Sequence, residues 1–294
     1  MRKINRIFLI ALLTAIIHLT DTLVYAVRLS GVTTRRLATA FSLFQIIALL
    51  ASTANLVQAP LLSSVVESSI NQGMEKAATT GRQLLESPFY QQQLNQLGFD
   101  IRLIILAATL GTIAGVIFTP AFNYVFTRVI LLFEEAGSVP RLVLVVLSPR
   151  RLGRALRKRP LHVTAFSNAV KTGRQRSIPL SFLTANTAVI GIWTTGVLSA
   201  LYAGALLPDY RSTASLLSGV VNGLATILSA MIVDPTAAMI TDQAIRGQRG
   251  PGDVRQMVYY LCLTRILGTI LAQILFLPAA GFIKGVALLM AAPD

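Results

Sequence analysis

Six stretches of about 20 apolar residues, each long enough to cross roughly 30 Å of hydrocarbon, constrain this chain more than anything else in it. They run from Ile7 to Val27, Leu37 to Ala59, Leu103 to Thr127, Leu180 to Leu207, Ala214 to Ile240 and Met257 to Ile283. Inside lipid the backbone N–H and C=O groups find no water, and a helix satisfies them within one segment. The expected fold is therefore all-α, a polytopic membrane protein with about six transmembrane helices forming one membrane domain over residues 1-294. Charged residues make up 13% of the chain and mean hydropathy is +0.66, against roughly 25% charged in a soluble domain. The first run follows Met1-Arg2-Lys3 as a signal peptide would. No small-residue cleavage site follows, and His18 and Asp21 interrupt the apolar run, so it is read as a span.

That first span carries the most unusual residues. His18, Asp21, Tyr25 and Arg28 follow one another at three, four and three positions, which at 3.6 residues per turn sets all four on one helix face. A charge at the centre of a span costs on the order of 3 kcal/mol on insertion scales, so such residues are normally paired or line a water-filled path. The stripe is read as functional.

The links between spans set an orientation. A short link with Arg35 and Arg36 joins the first two spans, and the second carries Gln45, Ser52, Thr53, Asn55 and Gln58 before Pro60, where a helix break is expected. Residues 61-100 are polar and mixed in charge, read as an amphipathic helix lying at an interface. From Arg141 to Arg176 there are ten Lys or Arg and no acid, so by the positive-inside rule the loop 129-178 is cytoplasmic. Anionic membrane lipids are the expected partner of 141-176, and a basic run without stacking aromatics argues for no nucleic acid. The links Arg28 to Arg36 and Asp242 to Arg255 then face inward, and both termini outward.

An internal repeat relates the halves. Arg36 precedes Pro60 by 24 positions and Glu67 by 31, as Arg211 precedes Pro235 and Asp242. The string Gly111-Thr112-Ile113-Ala114-Gly115 through Pro120 echoes Gly268-Thr269-Ile270 through Pro278, and its four-residue glycine spacing suits close helix packing. The expected repeats are 7-128, with 61-100 as an insertion, and 180-290. Three spans per repeat is an odd number, so the second copy must be inverted, as in carriers that alternate access around a central site.

The remaining intramembrane polar residues are Asn55 and Gln58 before Pro60, Asn222 and Asp234 before Pro235, and Arg265 and Gln273 in the last span. Asp234 with Arg265, or Asp21 with Arg28, are the expected ion pairs. One cysteine, Cys262, and two histidines, His18 and His162, cannot build a Cys/His metal site or a disulfide framework. No metal or cofactor is expected. There is no phosphate-binding loop ending in Lys-Ser or Lys-Thr and no nucleophile elbow. An enzyme acting on a polyprenyl pyrophosphate is the alternative to a carrier, with His18 as acid or base; it normally wants several carboxylates for magnesium, and only Asp21, Asp234 and Asp242 are near.

His18-Leu19-Thr20-Asp21-Thr22, Arg28-Leu29-Ser30-Gly31-Val32, Thr53-Ala54-Asn55-Leu56-Val57-Gln58-Ala59-Pro60 and the Gly268 to Ala280 string together resemble the bacterial Amj family, the alternate lipid II flippases. The resemblance runs over most of the chain outside the basic loop. It implies a non-enzymatic flippase of the bacterial cytoplasmic membrane that moves lipid II, an undecaprenyl-pyrophosphate-linked disaccharide-pentapeptide, for peptidoglycan synthesis and cell shape. Arg28, Arg35, Arg36 and Arg265 are the expected pyrophosphate ligands, because a planar guanidinium makes two charge-assisted bonds to phosphate oxygens. His18 and Asp21 would bind a coupling cation. The sequence is equally compatible with a single chain and a homo-oligomer.

Overall fold

The computed structural model describes residues 2–81, 83–138, 148 and 178–291. The basic run 141–176 and His162 lie outside the described residues, apart from Ser148. Helix α1 (Arg2–Thr34) leads into α2 (Leu37–Thr80), and a 3-10 turn (Leu84–Glu86) precedes α3 (Pro88–Ala136). The second half holds α4 (Leu180–Leu206), α5 (Arg211–Leu228), a π-helical turn (Ser229–Val233), α6 (Asp234–Ile245) and α7 (Pro251–Ala291). The described residues thus contain six helical stretches long and apolar enough to span a membrane, with α5, the π turn and α6 forming one of them. The expected all-α, six-span membrane fold is what is found.

Pro60 and Pro235 act differently. Pro60 does not end its helix, since α2 continues for 20 residues beyond it. At Pro235 the helix instead widens into the π turn, so that the Asp234 N–H bonds the Ser229 carbonyl. A π turn inserts one residue into the ladder and relieves the clash between a proline ring and the carbonyl four residues earlier.

Residues 61–100 form no free-standing helix. They are the end of α2, the 3-10 turn and the start of α3, and their apolar side is sequestered by protein. Leu62, Val65, Val66 and Ile70 of α2 join Tyr90, Leu94, Leu97 and Ile101 of α3 in a core with the end of α4 and with α7. The Tyr90 hydroxyl donates to the Ala205 carbonyl at 2.6 Å. Amphipathic periodicity signals one buried stripe, and that stripe is met equally well by other helices as by lipid.

The α1–α2 turn is tight. Arg35 adopts a left-handed conformation (φ 59°), the Arg35 N–H bonds Val32 O at 3.1 Å and the Arg36 N–H bonds Gly31 O at 2.8 Å. This is the Schellman closure of a helix, usually given to glycine. It leaves both arginine side chains exposed at one end of the bundle.

Helix α1 packs along α3, and α4 along α7. Glycines permit both approaches. A methyl group at Gly115 would lie 2.6 Å from Thr22 Cβ and 2.9 Å from the Leu19 carbonyl oxygen; one at Gly268 would lie 2.6 Å from Ile190 Cβ and 2.8 Å from the Thr187 carbonyl oxygen. Gly111 likewise sits directly on the Ala15 backbone. A second apolar core gathers Tyr25, Leu29 and Val32 of α1 with Phe182, Ala185 and Val189 of α4, Ala237 and Ile240 of α6, and Val254 to Cys262 of α7. The middle of α1, from Thr14 to Asp21, lies between the two cores.

Candidate functional site

That middle zone holds a cavity of about 450 Å³. Helix α1 contributes Thr14, Ile17, His18 and Asp21, and α2 contributes Ser52, Asn55 and Gln58. Ile104 and Ala108 come from α3, Ile190, Trp193, Thr194 and Val197 from α4, Asn222 from α5 and Arg265 from α7. Both halves of the chain therefore build it. Six expected site residues, His18, Asp21, Asn55, Gln58, Asn222 and Arg265, meet on its wall although the chain separates them widely.

Among the described residues, charge in the cavity is balanced by one ion pair. Arg265 Nη2 donates to Asp21 Oδ2 at 3.1 Å, with the Arg265 side chain 7% exposed and Asp21 50% exposed. The guanidinium also lies 5.9 Å from the centroid of the Tyr25 ring, a cation–π arrangement. Tyr25 is thus a buried support beneath the pair and does not line the cavity. The amides fill out the wall: Gln58 Nε2 donates to Thr14 Oγ1, and Asn222 packs its amide onto Gly196, where a methyl group would collide with it. Asn222 Oδ1 and His18 Nδ1 are buried and accept or donate no hydrogen bond among the described residues.

The ion pairing differs from both sequence expectations. Arg265 takes Asp21 in place of Asp234, and Arg28 takes Asp234 in place of Asp21, at 3.8 Å. The spacing of Asp21 and Arg28 sets them on one face but about 10 Å apart along the axis, at ~1.5 Å per residue. Each therefore meets the helix that crosses α1 at its own level. Arg28 sits 16% exposed with its guanidinium over Phe41, 5.4 Å from the ring centroid, and Asp234 also accepts from Ser229 Oγ at 3.2 Å.

Arg35 and Arg36 lie at the α1–α2 turn, away from the cavity wall. Gln273 belongs to a separate lock between α3 and α7: Arg102 Nη1 donates to the Gln273 carbonyl at 2.9 Å, and Gln273 Nε2 donates to the Arg102 carbonyl at 2.9 Å. Arg102 was not picked out from the sequence, because an arginine ahead of an apolar run reads as an interfacial flank. Trp193, Thr194, Ser52 and Thr14 were also missed as wall residues. Trp193 had one available signal, since the repeat expected from the sequence pairs it with His18. Among the described residues, no group of three or more His, Cys, Asp or Glu is arranged to hold a metal.

Six long apolar helices around a mid-span cavity that mixes polar and apolar side chains and holds an ion pair define a multi-pass α-helical membrane protein. The family model described as Amj, alternate to MurJ, matches residues 13–287. The chain is 33% identical over 269 residues to the lipid II flippase Amj of Bacillus subtilis (strain 168), covering 91% of each chain. No solved structure matches it. The chain belongs to the Amj family.

Proposed function

We propose that this protein is a lipid II flippase of the bacterial cytoplasmic membrane, a carrier and not a catalyst, which works by alternating access around the mid-span cavity. The observation that carries this reading is the cavity itself. A family member whose relative is named a lipid II flippase holds, at the level of the lipid tails, a chamber built by both halves with His18, Asp21, Arg265 and three side-chain amides in its lining. Polar groups at that depth are costly unless they are paired or serve a passing ligand.

An inverted repeat of 7-128 and 180-290 gives the chamber its place. Under the alignment that pairs Arg36 with Arg211, His18 pairs with Trp193; under the alignment of the glycine strings, Ala108 pairs with Arg265. Both members of each pair line the one cavity, as expected of a site lying on the axis between two repeats. The close crossings agree: Gly111 sits against Ala15 and Gly268 against Ile190, four positions that the same alignments pair. Arg28, Arg35 and Arg36, toward one end of α1, suit the pyrophosphate, with the basic run 141–176 at the cytoplasmic face against anionic lipids.

The test is lipid II accessibility in cells that depend on this protein alone. A flippase exposes the precursor at the outer surface, whereas an enzyme acting on the pyrophosphate would release inorganic phosphate. Phosphate release without surface exposure would overturn the proposal.

A further inference from the structure

The cavity lining is chemically mixed. His18, Asp21 and Arg265 bring charge and an imidazole to it, and Trp193 with the amides of Asn55, Gln58 and Asn222 brings neutral groups. Trp193 is the chain's only tryptophan and stands at the midpoint of α4 (Leu180–Leu206), with 41% of its surface exposed. Transmembrane tryptophans collect in the headgroup belts, where the ring N–H reaches water. Trp193 is about 20 Å from either end of its helix by the rise per residue, so it is not a belt anchor. A core indole would gain from full burial, and this one is open.

Three of the neutral lining groups are side-chain amides. Each side-chain amide offers a donor and an acceptor at one tip. Among the lining residues, Asn222 Oδ1, His18 Nδ1 and Arg265 Nε are buried without a hydrogen-bond partner among the described residues. Among the lining residues Arg265 is the single Arg or Lys, and its charge is already met by Asp21 at 3.1 Å. A pyrophosphate would bring several negative charges to a chamber whose single guanidinium among the described residues is already paired with Asp21. A sugar ring brings a flat C–H face and a rim of hydroxyl and acetamido groups, and no charge.

We propose that the cavity is a saccharide-binding site, in which Trp193 stacks on a pyranose of the lipid-linked headgroup and Asn55, Asn222 and His18 bond its hydroxyl and acetamido groups. The assignment rests on the lipid II reading. A volume of about 450 Å³ is that of a small-ligand pocket, ~300–1,000 Å³. It admits a sugar unit and leaves the pyrophosphate and peptide outside, toward Arg28 and the α1–α2 turn.

Because Trp193 is the only indole, the protein's tryptophan emission reports on the cavity lining alone. The full chain in detergent is titrated with lipid II and with undecaprenyl pyrophosphate, which carries the tail and phosphates without the sugars. Retention of radiolabelled ligand measures binding independently. Lipid II should change the emission saturably and undecaprenyl pyrophosphate should not. Trp193→Leu should weaken lipid II about tenfold, the scale of a lost aromatic contact, and leave undecaprenyl pyrophosphate within about twofold; Trp193→Phe, which keeps a flat ring, should recover most of the affinity. If lipid II is retained with unchanged emission, or Trp193→Leu weakens both ligands alike, the saccharide site is wrong and the flippase reading stands. If lipid II is not retained and is not exposed on cells, both fall.

Discussion

Asp21 Oδ2 and Arg265 Nη2, 3.1 Å apart, join the first transmembrane helix to the last across 244 positions of sequence. Each residue belongs to a different half of the chain, and both line the cavity. A carrier that alternates around this cavity must either keep the pair while the halves rock or break it to open.

Asp21→Asn therefore leaves the Arg265 guanidinium buried without its counter-charge. Breaking a buried pair from one side costs about 3–5 kcal/mol, and the partial exposure of Asp21 places this one at the low end. Arg265→Gln alone should cost less, since Asp21 faces the chamber, and the double variant should recover part of the loss. Thermal melting of the four proteins in detergent measures the coupling. Strict additivity would show that the pair contributes nothing.

Arg28→Ala should abolish rescue of cells lacking other flippases while the protein accumulates normally, and Asp234→Asn should weaken rescue only in part. Asp234 is 60% exposed and its 3.8 Å contact is loose, so the guanidinium remains available to phosphate oxygens without it. Equal rescue by Arg28→Ala and the parent chain would remove Arg28 from the path.

Arg35 separates fold from function. Its left-handed backbone costs roughly 1 kcal/mol in a non-glycine residue, so Arg35→Gly should raise the melting temperature by a few degrees. If the charge serves the pyrophosphate, the same variant should flip lipid II more slowly. A more stable protein with undiminished flipping in vesicles would assign Arg35 to topology alone.

Packing at the crossings makes a prediction free of charge. Gly268→Ala must push Ile190 or the Thr187 carbonyl away and should lose about 1–3 kcal/mol, the cost of overpacking. Gly281, on the same helix with nothing within 4 Å of an added methyl, should tolerate alanine or gain up to about 1 kcal/mol from its better helix propensity. Membrane levels and melting of the two variants give the comparison.

His18 shares the chamber with Asp21 and Arg265, facing both from α1 and α7. If it carries a coupling proton, His18→Gln should slow flipping in proteoliposomes and erase the response to an imposed pH difference. A parent rate indifferent to pH and to membrane potential would exclude the coupling.

Helix number and span location were legible because lipid imposes a length on apolar runs, and the six runs read from residues are the six spans. The stripe from His18 to Arg28 was legible as a face, and half of the expected site residues do meet on one wall. Partners were not legible. Periodicity places Asp21 and Arg28 on one side of α1 but is silent on which helix crosses at which height, so both expected pairings exchanged partners. Pro60 looked like an end because the rule concerns one lost hydrogen bond; α2 accommodates the loss, and only Pro235 recruits a π turn. Trp193 escaped notice because aromatic residues in apolar runs are ordinarily packing, and only the folded chamber shows its ring uncovered.

Helices α2 and α3, of 44 and 49 residues, would extend roughly 65 and 75 Å at the α-helical rise, while a bilayer with its headgroups is about 40–45 Å thick. The surplus falls where Glu67, Glu75, Lys76, Glu86 and Asp100 are concentrated, next to the end of α4. With the apolar stretches filling the bilayer, the two helices would stand clear of the lipid on that side as a braced turret. A bulky hydrophilic cargo leaving the chamber there would meet a fixed protein rim before open water, so the rim's shape, as much as the chamber's, would set how long a headgroup the carrier can pass.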